Sequence, residues 1–231
     1  MNPFLLMQAA QTAVVDGVEE EIVVESIKLF DLMLKGGWIM IPLGLLSVIS
    51  VIIFIERFLL LRRLSREDLN FMNRIKDYIH DGKIDSALAL CQSNEHPISR
   101  MIEKGVTRIG RPLQDVSTAI ENVGNLEVSR LEKGLPMLAT IAGGAPMIGF
   151  LGTVIGMIKS FWEMSNAGNN IMVDQLAGGI YTALVTTVTG LIVGIIAYFA
   201  YNYLVTRVGK VVFNMEARTM EFMDILNEPA R

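Results

Sequence analysis

Gly134–Ile158, GLPMLATIAGGAPMIGFLGTVIGMI, runs for 25 residues without a charged side chain. A helix needs about 20 predominantly apolar residues to cross a hydrocarbon core of roughly 30 Å, so the stretch predicts a membrane span. Two further stretches meet the same requirement. Gly36–Ile55 holds 20 uncharged residues and Gln175–Thr206 holds 32. At about 1.5 Å per residue the last would reach roughly 48 Å, so it must protrude from the bilayer or tilt.

Composition agrees with that concentration of apolar residues. The chain has 231 residues, 52% apolar and 19% charged, with a mean hydropathy of +0.44. A soluble domain of this length is closer to a quarter charged. One cysteine cannot form an intrachain disulfide and two histidines cannot build a zinc cluster, so disulfide and zinc scaffolds are excluded. A net charge of −4 provides no basic field for nucleic acid.

Charge also orients the spans. Residues 1–35 hold Lys28 and Lys35 against six acids, whereas the segment from Arg62 to Lys133 holds twelve Lys or Arg. The connection from Lys159 to Asp174 holds one, and the tail holds Arg207, Lys210, Arg218 and Arg231. By the positive-inside rule the N-terminus is then periplasmic, the long loop cytoplasmic, the short loop periplasmic and the tail cytoplasmic. Trp38 and Trp162 would both sit at the outer interface. Residues 1–15 lack a basic n-region and are too short to span, which suggests a surface-lying amphipathic stretch followed by a solvated acidic cluster.

The long loop is patterned. Ser65 and Asp68 have capping-box spacing, and Phe71, Met72, Ile75, Tyr78 and Ile79 share one helical face before Gly82. Ile84, Ala87, Leu88 and Cys91 make a second face, and Ile98, Met101, Ile102, Val106 and Ile109 a third before Gly110 and Pro112. Leu113, Val116, Ile120 and Val123 keep helical spacing toward the second span. Val208, Val211, Met215, Phe222 and Leu226 carry the same period beyond the third.

The expected fold is therefore an all-α integral membrane protein. It has three transmembrane helices, two of them extended into the cytoplasm, and a small cytoplasmic helical bundle. The boundaries read as a periplasmic segment 1–35, a first transmembrane helix 36–61 and a cytoplasmic helical region 62–111. A long helix with the second span follows over 112–165, then a periplasmic loop 166–174 and the third span with its cytoplasmic tail over 175–231. Cys91 reads as a reduced core residue of the bundle, and His96, before Pro97, as a solvated turn residue.

Within the spans the polar inventory is short: Ser47 and Ser50; Thr140, Thr153 and Ser160; Thr182, Thr186, Thr187 and Thr189. No carboxylate, histidine, lysine or arginine lies inside them, and His80 and His96 are both in the long loop. Intramembrane serine or zinc proteolysis is thereby excluded, no catalytic residue is assigned and no metal or other cofactor is expected. Threonine and water can orient a proton but cannot store one. If protons are conducted, another chain must supply the carboxylate.

Small residues recur at helix-packing spacing. Gly152 and Gly156 form GxxxG in the second span, as do Gly190 and Gly194 in the third. Ala183, Thr187, Gly190 and Gly194 share a face, and Thr153 shares one with Gly149, Gly156 and Ser160. Either threonine could simply bond the carbonyl four residues before it.

LATIAGGAPMIGFLGTVIGMIKSF (Leu138–Phe161) resembles the most recognisable stretch of the ExbB/TolQ/MotA family of bacterial proton-channel subunits, with its Ala-Pro (Pro146) and Gly-x-x-Gly-Thr-Val. GGWIMIPLGLLSVISVIIFIERF (Gly36–Phe58) and TALVTTVTGLIVG with Tyr201 and Asn202 are similar to the first and third spans of its ExbB branch. The resemblance covers about 36–210. It implies a homo-oligomeric pentamer around the transmembrane helices of ExbD-like subunits that supply a membrane aspartate, with a TonB-like partner. It also places Thr153, Thr187 and Thr182 on the proton pathway. Thr182 stands where well-known members carry glutamate, and Ile195, Ile196 and Ala197 stand where they have Ile-Pro-Ala.

The function so implied is that of a non-enzymatic subunit coupling proton-motive force to TonB-dependent outer-membrane transport from the inner membrane. A TolQ-like role in envelope constriction or a flagellar stator role shares the mechanism. A non-conducting membrane scaffold is the alternative of a different class.

Overall fold

The structure, a computed structural model, describes residues 36–64, 70–166 and 173–227. The segment 1–35, the Ser65–Asp68 cap and most of the connection at 166–174 lie outside the described residues. Every described element is helical: α1 Met40–Leu64, α2 Phe71–His80, α3 Ile84–Gln92, α4 Pro97–Val106, α5 Leu113–Glu132, α6 Leu135–Asn166 and α7 Val173–Asn227. Among them α1, the α5–α6 rod and α7 are long and apolar enough to cross a membrane.

Helix α1 starts with Pro42 in its first turn, where a missing N–H costs nothing, and ends on Arg62 and Arg63, whose charge suits the C-terminal dipole. Its buried residues are Leu43, Ser50, Arg57 and Leu61, a single narrow stripe at near-heptad spacing. Ile41, Leu45, Val48, Ile52 and Ile55 face outward. Exposed aliphatic side chains on the other faces of a spanning helix meet lipid or another subunit, so one stripe suffices to hold α1 against α7 and α6.

The continuous helix expected over 112–165 is two helices. Gly134 has φ of 85°, a backbone state that breaks the α5 ladder after Glu132, and Leu138 N–H then bonds the Gly134 carbonyl at 3.1 Å to begin α6. Pro136 falls in the first turn of α6, where it is tolerated. No comparable break interrupts α7. Its 55 residues reach about 80 Å, far beyond a hydrocarbon core of roughly 30 Å, so its C-terminal half stands outside the bilayer.

That half is the backbone of the extramembrane domain. Phe71, Met72 and Ile75 of α2, Cys91 of α3, Ile98 and Ile102 of α4, and Ile120 of α5 bury their side chains with Met215 and Phe222 of α7. The three amphipathic faces read from the long loop are the ones turned inward. Gly105 on α4 lets the layers close: a Cβ there would come within 2.5 Å of the Phe222 ring and 2.7 Å of Ile120 Cδ1. His96 is half-buried rather than solvated. Its Nδ1 accepts from Ile98 N–H at 3.3 Å as the cap of α4, and its Nε2 meets the Leu64 carbonyl at 2.9 Å, tying α1's end to the domain.

Candidate functional site

Helices α6 and α7 pack antiparallel, and small side chains set how closely. A Cβ on Gly149 would lie 2.8 Å from the Thr186 carbonyl oxygen and 3.2 Å from Thr187 Cα. A Cβ on Gly190 would lie 2.6 Å from the Ala145 carbonyl oxygen and 2.9 Å from Gly149 Cα. Gly156 faces Ala183 at 2.8 Å, and Gly152 is filled by the Thr186 side chain. Gly194 receives the ring of Pro146, whose Cγ would be 2.5 Å from an added Cβ. All six residues expected at the packing face, Pro146, Gly149, Gly152, Gly156, Gly190 and Gly194, lie between these two helices.

Backbone contact across the interface brings hydroxyls into register. Thr187 Oγ1 donates to the Gly149 carbonyl at 3.1 Å, and Thr153 Oγ1 is hydrogen-bonded to Thr187 Oγ1 and lies 3.3 Å from the Ala183 carbonyl oxygen. Thr153 also lies 3.5 Å from its own i−4 carbonyl, Gly149, a long contact that leaves the interhelical bonds dominant. Intrahelical back-bonding therefore does not account for this pair. It does account for Thr182, whose hydroxyl bonds the Gly178 carbonyl at 3.0 Å, and for Thr189, which bonds Val185 at 2.9 Å. Of the three threonines expected on a proton pathway, Thr153 and Thr187 are brought together and Thr182 stands apart.

Thr186 is the member that sequence reasoning left out. It is buried, donates to the Ala183 carbonyl at 2.7 Å and fills Gly152, so it closes the cluster from the inside. A glycine four residues from a second glycine, opposite a run of threonines, is the signal that could have named it. The half-buried Thr153–Thr187 pair faces outward from Thr186.

Each hydroxyl has one donor and two acceptor lone pairs. With the Thr187 proton on the Gly149 carbonyl, the Thr153 proton goes to Thr187 Oγ1 or to the Ala183 carbonyl, and acceptor lone pairs remain for a water molecule or a protonated carboxylic acid. A short rotation of either hydroxyl turns the same atom into a donor for a carboxylate. The site can thus stabilise both forms of a titrating group, and it carries no titrating group itself.

A second polar cluster lies where α1, α4 and α5 meet. Glu127 of α5 is buried, 4% exposed, with both carboxylate oxygens bonded by Arg100 Nη1 at 3.0 and 3.2 Å and a further bond from Arg130 Nη1. Arg57, buried at the end of α1, donates to the Arg130 carbonyl at 3.2 Å and pairs with Glu56 at 3.1 Å. Charges scattered along a loop sequence look like a solvated face, and only the fold shows three of them converging. In the same domain the buried Cys91 thiol is pushed up to about 12, by burial first and by nearby Glu103 second. Such a thiol is an inert core group.

Comparison with known proteins gives these geometries a context. The family model of the MotA/TolQ/ExbB proton channel family matches residues 93–217, which include α4 to α6 and most of α7. The chain is 31% identical over 186 residues to the biopolymer transport protein ExbB-like 1 of Synechocystis sp., covering 78% of this chain and 71% of that one. It is 31% identical to the Tol-Pal system protein TolQ of Haemophilus influenzae, covering 72% of each chain. It is also 31% identical over 183 residues to a biopolymer transport protein ExbB homolog of Methanothermobacter thermautotrophicus, covering 79% of this chain but only 64% of that protein's length. An all-α membrane protein with three spanning helices, a small-residue hairpin and a threonine cluster at its centre, this chain belongs to the MotA/TolQ/ExbB proton channel family.

Proposed function

We propose that this protein is the channel subunit of an ExbB-like inner-membrane complex that converts proton-motive force into motion of a partner. Protons pass between water and a membrane carboxylate supplied by an ExbD-like chain, and the Thr153–Thr187 pair receives that carboxylate in both protonation states. The observation that carries the reading is the pair itself, two hydroxyls joined across α6 and α7 beside the Gly149 carbonyl, in uncharged stretches whose sequence holds no carboxylate, histidine, lysine or arginine. A charge at mid-bilayer costs about 2.5 to 3.5 kcal/mol, and two oriented hydroxyls reduce that cost while leaving proton storage to the partner. One proton crossing 100 mV releases about 2.3 kcal/mol, enough to bias a packed helical interface between two arrangements.

Assembly as a ring of copies, a pentamer by family resemblance, follows from the same economy. One chain encloses no path, and the outward aliphatic faces of α1, α6 and α7 need neighbours or lipid. The orientation is N-terminus periplasmic and C-terminus cytoplasmic, supported by twelve basic residues between Arg62 and Lys133. Coupling to a TonB-like protein is the leading client, supported by the ExbB-named relatives. The TolQ relative, matched over 72% of both chains, favours envelope constriction as the second reading.

The test is reconstitution of the chain with an ExbD-like partner in proteoliposomes carrying an internal pH dye. Proton uptake under an imposed potential should need both chains and the partner's aspartate. Uptake by this chain alone, or full uptake with the aspartate replaced by asparagine, would overturn the reading.

A further inference from the structure

The end of α1 carries a second site. Uncharged residues from Gly36 to Ile55 cover about 30 Å at 1.5 Å per residue, so Arg57 to Leu64 emerge at the depth where acyl chains give way to phosphate headgroups. At that depth the structure has a cavity of about 720 Å³, in the range of ligand-binding clefts. Arg57 and Arg63 of α1, Arg100 of α4 and Arg130 of α5 line it, together with the carboxylates of Glu95 and Glu127. Four guanidiniums face two lining carboxylates, and Glu56 beside the cavity pairs with Arg57, which leaves one positive charge in excess.

The pairings within the cavity do not consume that excess. Arg100 and Arg130 share the single charge of Glu127 through Nη1 of each, and their side chains remain 44% and 65% exposed. Arg63 meets Glu95 at 3.3 Å, with 78% of its side chain exposed. A guanidinium has five N–H donors in a rigid fork that fits phosphate oxygens, which suits an arginine-lined pocket to phosphate better than to a carboxylate or a halide. Leu60, Leu64 and Leu131 add an apolar wall beside the charges.

We propose that this cavity binds a phosphate-bearing anion, presented by an acidic phospholipid headgroup or free in solution, and thereby holds α1 against α4 and α5. The proposal is independent of proton conduction, because every lining residue lies outside the threonine cluster. It differs from a general attraction of basic residues to acidic membranes in one checkable respect. Arg62, the preceding residue, carries the same charge and is likewise exposed but does not line the cavity.

The experiment uses the full chain with its copurifying partners, stripped of lipid by detergent exchange, and counts bound ligand by native mass spectrometry. The probes are phosphatidylglycerol, phosphatidylethanolamine and inorganic phosphate. Phosphatidylglycerol should bind in preference to phosphatidylethanolamine. Arg63→Gln should weaken it about fivefold, and Arg63→Glu further, with Arg62→Gln and Arg62→Glu leaving it within about twofold. Competition by millimolar inorganic phosphate, lost in the Arg63 variants only, would support the site with a soluble anion as its source. Equal effects of Arg62 and Arg63 substitutions, or no preference among the three probes, would overturn it.

Discussion

Thr187 Oγ1 donates to the carbonyl of Gly149 across the α6–α7 interface, at 3.1 Å, while the Cα of Thr187 would lie 3.2 Å from any Cβ placed on Gly149. The hydrogen bond and the missing side chain are one fact. Only glycine at 149 lets the helices approach until a threonine hydroxyl on one reaches a backbone carbonyl of the other. The same closeness brings Thr153, one turn along α6, into contact with Thr187.

Gly149→Ala should therefore damage the hairpin more than its size suggests. The added methyl meets backbone at 2.8 Å, and backbone cannot rotate away, so about 1 to 3 kcal/mol of overpacking is expected. Gly143→Ala and Gly144→Ala on the same helix meet nothing within 4 Å inside the chain and should leave the α6–α7 hairpin undisturbed. Yield of the oligomer after detergent extraction, compared across the three variants, measures this.

Replacing Thr153 or Thr187 by valine keeps the shape and deletes the hydroxyl. Complex levels should persist, while proton-coupled activity falls roughly tenfold, about 1.4 kcal/mol in a rate-determining step. Serine should retain much of it. Thr182→Val should cost less, since that hydroxyl only bonds its own helix at Gly178. Full energy-dependent activity in both valine variants at normal complex levels would reduce the pair to a packing contact.

Glu127 makes a prediction of the opposite kind, about stability. Glu127→Leu removes the shared acceptor of Arg100 and Arg130, whose side chains are 44% and 65% exposed and can rehydrate, so it should cost about 1 to 2 kcal/mol. Glu127→Gln retains acceptor geometry and should cost less. Thermal melting of the extramembrane helices, followed by circular dichroism in detergent, ranks the two.

Cys91 should resist alkylation in the folded chain and react on unfolding, so its labelling reports opening of the domain rather than sidedness. Membrane sidedness is better read from Ser93→Cys, at an exposed position two residues on, in a Cys91→Ala background. The thiol also sets a sign for alkaline stability. Its folded value, about 12, lies above the ordinary 9.0, so it leaves stability unchanged below about pH 9 and lowers it progressively as pH rises from 9.0 toward 12. Urea midpoints at pH 8 and pH 10.5 should differ in wild type by more than in Cys91→Ala.

Much of this was legible in the residues. Three uncharged stretches and three amphipathic faces are enough to specify an all-α membrane protein with a helical domain outside the bilayer, because hydrocarbon tolerates only self-satisfied backbone and water only a polar face. The glycine spacing alone names the face on which the second and third spans pack. Gly134 with Pro136 two residues on is itself a helix-stop pattern, and the φ of 85° at Gly134 shows that the ladder does stop there.

What the sequence by itself determined is therefore which segments enter the membrane, which faces are apolar and which chemistry is absent from the spans: these follow from composition and period along one chain. What only the tertiary structure decided is which hydroxyl meets which. Thr153, Thr182 and Thr187 are equivalent in a list, yet two bond across helices and one bonds its own. Arg57, Arg100 and Glu127, 27 to 70 residues apart, become one cluster. Such contacts arise from the register of packed helices, and register is set by the closest approach of side chains on different segments, which no local pattern encodes.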